Sequence, residues 1–155
     1  MSTFKNIPIS VELPSPVDDT AIAHAVLCEI QVLMEEFVSS GQSGAIDLRQ
    51  VPPMGPDAYQ FLKQSLSAGE VSATIKGVGR TEVQETAYSG VWWVTHRNQK
   101  DEILTELIEV TEIPEILKSQ REDVRHGLRR LAKRISLSEP EKPGSSFSPG
   151  ETAQL

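Results

Sequence analysis

The chain has 155 residues, 38% of them hydrophobic and 24% charged, and a formal net charge of -7 at neutral pH. That is one domain's worth of sequence, long enough to bury a core without metals or disulfides, and no run approaches the roughly 18 apolar residues of a membrane span. The acidic balance argues against a general nucleic-acid binder, and a single cysteine, Cys28, excludes an internal disulfide, a CxxC redox pair and a cysteine-only metal site.

In chain order, MSTFKNIPISVELPSPVDD has no basic start followed by a long apolar run, which predicts no secretory signal and a cytoplasmic location. Within it, IPISVEL is a short β-prone segment that ends at Pro14 and Pro16, expected as an edge strand in an extended N-terminal piece, residues 1–17. Asp18, Asp19 or Thr20 can cap a helix that runs to about Ser40, with Ile22, Val26, Ile30, Leu33 and Phe37 at helical spacing and Gly41 as its stop. AIDLRQV then alternates like a brief strand, PPMGP turns the chain, and DAYQFLKQSLSAG predicts a second helix with Tyr59, Leu62 and Leu66 inward. EVSATIKGV and RTEVQETAY, separated by Gly77 and Gly79, predict a hairpin. Ser89 and Gly90 then introduce a bend or bulge before VWWVTHR, unless the two segments form one long kinked strand.

NQKDE supplies another turn, and ILTELIEVTEI is the next strand, stopping near Pro114. A third helix is expected from about there, with Leu117, Val124, Leu128, Leu131 and Ile135 in one narrow stripe and Gly127 as a weak point inside it. From Ser138 the tail EPEKPGSSFSPGETAQL is rich in Pro, Gly, Ser and charge and is expected to be disordered. The sum is one α+β domain at 18–137: an antiparallel sheet of three to five strands with helices mainly on one face, plus a C-terminal basic amphipathic helix.

In the stretch ETAYSGVWWVTH, Trp92 and Trp93 are neighbours, and successive side chains of a strand point to opposite faces. One core then shelters only one of them. Either the strand is central and covered on both faces, or its open face meets another protein.

IDLR at 46–49, LSAGEVSATI at 66–75, ETAYSGVWWV at 85–94 and IEVTEIP at 108–114 occur in this order, and over 45–116 the chain resembles the HupH/HyaF hydrogenase expression proteins, with HoxQ and HoxV among their relatives. The resemblance implies a non-enzymatic chaperone or scaffold in nickel-iron hydrogenase maturation. Its partners would be a hydrogenase subunit precursor or other maturation factors. It carries over Glu70, Glu85, Tyr88, Trp92, Trp93 and Glu109 as candidate contact residues, one tryptophan being core and the other either packed beneath a second helix or marking the partner site. It supplies no catalytic set and no resident cofactor.

The residues themselves offer little chemistry. GVGR at 77–80 is too short for a glycine-rich phosphate loop and reads as a hairpin turn; GxSxG, HExxH and paired-cysteine spacings are missing from the sequence. The alternative to the scaffold is a small metal-binding or metal-delivery protein or enzyme. It would use the glutamates Glu70, Glu85 and Glu109 if their strands converge, or His24 and Cys28, which share a helix face at i and i+4. Two ligands fall short of a structural zinc site but could help hold a transient iron centre. Arg121, Arg125 and Arg129 line one flank of the third helix, within a local charge of +5 between Lys118 and Arg134. That flank reads as a solvated face or as a docking surface for an acidic partner, and the stripe beside it could mediate a homodimer. Nucleic acid is not its expected partner, because that neighbourhood lacks aromatics for stacking.

Overall fold

The computed structural model describes residues 19–138; the IPISVEL segment and the tail after Ser138 lie outside the described residues. The chain divides into two compact units, one reaching Glu115 and one starting at Ile116.

The first unit is an α+β layer structure. Helix α1, Asp19–Ser40, buries Ala23, Val26 and Ile30, with Leu27, Leu33, Met34 and Phe37 packed around them. It stops where Gly41, at φ +74°, donates its N–H to the Phe37 carbonyl, a left-handed cap that costs glycine no Cβ clash. Strand β1, Gly44–Asp47, is shorter than the alternation of AIDLRQV predicts, because the Asp47 side chain accepts from the Arg49 backbone N–H and turns the chain. Helix α2, Pro56–Leu66, follows with proline in its first turn and buries Ala58, Leu62 and Leu66.

Four strands follow: β2 Ser72–Lys76, β3 Arg80–Glu85, β4 Val91–Arg97 and β5 Ile103–Val110. All pairings are antiparallel and the order is β1-β5-β4-β3-β2, so the tryptophan strand is central. The β2–β3 hairpin is the one that Gly77 and Gly79 predict. Between β3 and β4 the chain does not bend but reverses. Thr86 N–H donates to the Val91 carbonyl, Tyr88 N–H donates to Thr86 Oγ1, and Gly90 takes φ +80° to close the loop. The irregularity of β4 lies instead at its far end, between His96 and Arg97.

Val91 and Trp93 of β4, Ile108 and Val110 of β5 and Ile46 of β1 face α1 and α2 in one core. Burying each of the larger of these side chains stabilises the fold by about 1.5–3 kcal/mol. No helix of the described residues is long and apolar enough to cross a membrane.

The second unit contains helix α3, Arg121–Ser138. It begins later than the sequence predicts: a 3-10 turn at Glu115–Leu117 intervenes, so Leu117 is not part of the α3 stripe.

Candidate partner-binding surface

The pleat assigns the two tryptophans to opposite faces, yet both are buried, Trp92 at 5% and Trp93 at 4% exposure. Of the two readings of this strand, the structure matches the one in which it is central and buried on both faces, with Val83 and Val94 buried on the side of Trp92. Each indole also has a hydrogen-bond acceptor. Trp93 Nε1 donates to Glu106 Oε1 at 3.1 Å on the helical side, and Trp92 Nε1 donates to the Thr111 carbonyl at 3.1 Å.

Around Trp93 a polar cluster ties α2 to the sheet. Tyr59 O–H donates to the same Glu106 oxygen at 2.7 Å, and its ring meets Trp93 edge-on with centroids 5.8 Å apart. Lys63 Nζ lies 3.8 Å from the Trp93 ring centroid, a cation–π contact. Burial pushes the Tyr59 hydroxyl above its ordinary range, helped by the Glu106 carboxylate, and burial holds Lys63 below the usual lysine value. Glu82, in the same cross-strand row as Glu106, pairs with Arg97 at 3.1 Å. Tyr59, Lys63 and Glu106 were not among the sequence-derived candidates. Strand alternation could have found Glu106, since a carboxylate two positions from Ile108 on β5 shares its inward parity.

On the other face, Glu85, Trp92 and Glu109 form one cross-strand row. Trp92 thus separates the two carboxylates by two strand spacings, about 10 Å, too far for one metal ion to bridge. Glu70 stands outside this row, in the loop before β2. Among the described residues, no group of three or more His, Cys, Asp or Glu side chains could hold a metal. Glu109 is half-buried, and desolvation raises its carboxyl above the ordinary value of 4.5 against the opposing influence of His96.

Of the first unit's candidates, Glu70 and Tyr88 are exposed and Glu85 is half-buried. Tyr88, at 50% exposure, borders an apolar groove of about 320 Å³ between α1 and α2, lined by Leu27, Ile30, Met34 and Leu66. Gly69 anchors the loop that carries Glu70: its N–H donates to the Glu85 carbonyl, and an added Cβ would overlap the Thr86 carbonyl oxygen. The groove rim and the Glu70 loop are thereby fixed to the start of the β3–β4 turn.

His24 and Cys28 do meet, with Nδ1 and Sγ 3.6 Å apart on the exposed side of α1. Arg121, Arg125 and Arg129 are exposed on α3, where Arg125 pairs with Glu122.

Residues 20–138 match the family described as HupH hydrogenase expression protein, C-terminal conserved region. The chain belongs to this family. Hydrogenase expression/formation protein HoxQ of Cupriavidus necator is 31% identical over 122 residues, 79% of this chain and 43% of that protein. Hydrogenase expression/formation protein HupH of Rhizobium leguminosarum is 37% identical over 79 residues, 51% of this chain and 28% of that protein. The chain thus spans less than half the length of these curated relatives. The solved structure of hydrogenase expression protein HupH from Thiobacillus denitrificans superposes with a TM-score of 0.68 at 35% identity, covering 74% of this chain and 94% of that one. The match to the HupH C-terminal region takes in the tryptophan strand, the Tyr88 groove and α3 alike.

Proposed function

We propose that this protein is a non-enzymatic accessory factor of hydrogenase maturation, acting in the cytoplasm as a chaperone or scaffold. It would hold a hydrogenase subunit precursor or another maturation factor. Family membership supports the process. The observation that supports binding as the mode of action is the groove beside Tyr88: an apolar cleft with an exposed aromatic at its rim, next to Glu70, in a fold whose tryptophans are already committed to the interior. Tyrosine is among the residue types enriched at the energetic centres of protein interfaces. In this reading the partner inserts an apolar side chain between α1 and α2. Tyr88 and Glu70 contact it, whereas Trp92, Trp93, Glu85 and Glu109 set the shape of the sheet beneath.

The test is affinity purification of the tagged chain from its own host while hydrogenase is being made, with co-purifying proteins identified by mass spectrometry. Hydrogenase subunits or maturation factors should be recovered with the natural sequence and be lost with Tyr88→Ala combined with Leu27→Glu. Recovery of neither, from cells assembling hydrogenase, overturns the reading.

The contact between His24 and Cys28 favours one second reading, delivery of a soft metal, with ligands from the partner completing the site. Metal analysis of protein purified without oxygen decides it. Iron, nickel or zinc retained by the natural chain and lost in Cys28→Ala supports delivery, and metal at background in both rejects it.

A further inference from the structure

Four of the large apolar side chains of helix α3, Val124, Leu128, Leu131 and Ile135, are spaced 4, 3 and 4 residues apart, the seam spacing of a helix that packs along another helix. They are 58%, 65%, 58% and 53% exposed. On a wheel of about 100° per residue, Arg121 and Arg125 border this seam on one side, with Arg129 farther round, and Arg134 beside Asp123 lies on the other. A second α3 is a poor companion, because two such helices would bring their arginine flanks together.

The complementary surface lies on α1. Its outward residues Ala21, Ala25, Cys28 and Val32 are also spaced 4, 3 and 4 apart and are exposed, with Val32 at 59%. Glu29 and Glu36 border that seam on one side and Glu35 on the other, and no Lys or Arg occurs anywhere between Asp19 and Ser40. Beside Ala21 and Ala25, a groove of about 380 Å³ opens toward Val51 and Pro52. Large side chains with basic flanks thus match small side chains with acidic flanks, in size and in charge.

We propose that α3 of one copy packs along the outer face of α1 of a second copy, and that the exchange is mutual, giving a two-fold dimer. Each copy offers one seam of each kind, so the two contacts saturate both and the assembly closes. An 18-residue helix is about 27 Å long, enough to cover the whole span from Ala21 to Val32. The proposal does not depend on the hydrogenase reading, because it leaves the Tyr88 groove to a different partner.

The experiment uses the purified full chain, with mass measured by sedimentation or light scattering across concentration and salt. The natural chain should be a dimer at low salt and weaken at about 1 M salt, where the Debye length falls to about 3 Å. Leu128→Glu with Leu131→Glu should give a monomer with unchanged helix content, since α3 buries none of its own side chains. Glu29→Arg with Glu36→Arg should weaken association roughly fivefold per reversed charge, and Arg125→Glu with Arg129→Glu in the same chain should restore it. Cys28 supplies a second readout: its alkylation should be slow in the dimer and fast in the leucine variant. A natural chain that is monomeric at all concentrations overturns the proposal, even if Cys28 is shielded, which would place α3 on its own α1. A dimer that survives the leucine substitutions, or that no charge exchange restores, overturns it as well.

Discussion

Trp92 and Trp93 are adjacent in sequence, and their indoles donate to opposite sides of the sheet: Trp93 to the Glu106 carboxylate under α2, Trp92 to the Thr111 carbonyl beyond the end of β5. A buried indole N–H without an acceptor would cost about 1–3 kcal/mol. Both donors have an acceptor, so the pair reads as two structural anchors that fix the central strand from either face.

This makes the tryptophans poor targets for disrupting recognition and good ones for disrupting stability. Trp93→Phe keeps an aromatic ring but removes one donor to Glu106 and the larger π face under Lys63, an expected loss of about 1–2 kcal/mol. Trp92→Phe deprives the Thr111 carbonyl of its donor and should cost about 1 kcal/mol. Urea denaturation measures both, and binding of a captured partner by the folded variants should be unchanged. A variant with natural stability and lost binding would return that tryptophan to the interface.

Glu106 carries a sharper prediction, because one of its oxygens accepts from both Tyr59 and Trp93. Glu106→Leu leaves two donors stranded and should destabilise by about 2–4 kcal/mol. Glu106→Gln still offers an oxygen to the same donors and should cost clearly less. The comparison is read as the shift in urea midpoint at constant slope. Equal losses in the two variants would mean that packing volume, and not the shared acceptor, matters at this position.

The elements that sequence reading located are those with strong periodicity. The stripe of α1, the Gly77–Gly79 hairpin and the five strands all follow from spacing, since burial on one face imposes a period of 3.6 or 2 on the residues. What spacing could not supply is information that resides in pairs distant in sequence. Glu85 and Glu109 sit 24 positions apart and share a row only because β4 separates their strands, and the register placed Trp92 between them. In the sequence the reversal at 86–90 reads as a bend, a bulge or one long kinked strand, because the Thr86 side chain that closes it resembles any other strand threonine. His24 and Cys28, by contrast, are brought together by helix pitch alone, and so could be found by counting.

Gly79 is a backbone-limited position. A Cβ there would overlap the Arg97 carbonyl oxygen, which holds the β2–β3 turn against the end of β4. Gly79→Ala must displace the backbone of one or the other, with an expected cost of about 1–3 kcal/mol, the range of a strained or overpacked site. Gly77→Ala meets only the Gly79 carbonyl at 3.7 Å, an ordinary contact, and is the matched control. Thermal melts of the two variants should separate clearly. Similar melting temperatures would show that the turn shifts freely.

The pH dependence of Glu109 tests the second sheet face. Burial raises its carboxyl above the ordinary 4.5, with His96 opposing the shift, so the folded chain holds this proton more tightly than the unfolded chain does. Below the ordinary value the group is protonated in both states and costs nothing. As pH rises from there through the raised folded value, the unfolded carboxyl ionises freely while the folded one ionises in a half-buried place, and stability falls. Glu109→Gln removes that penalty. The variant should therefore melt at a higher temperature than the natural chain at about pH 7, with the gap closing as pH falls below about 4.5, where the natural side chain is also neutral. Differential scanning calorimetry of both proteins across this interval reads the difference directly. A gap independent of pH would mean that Glu109 is solvated and that the row it shares with Trp92 and Glu85 is open to water.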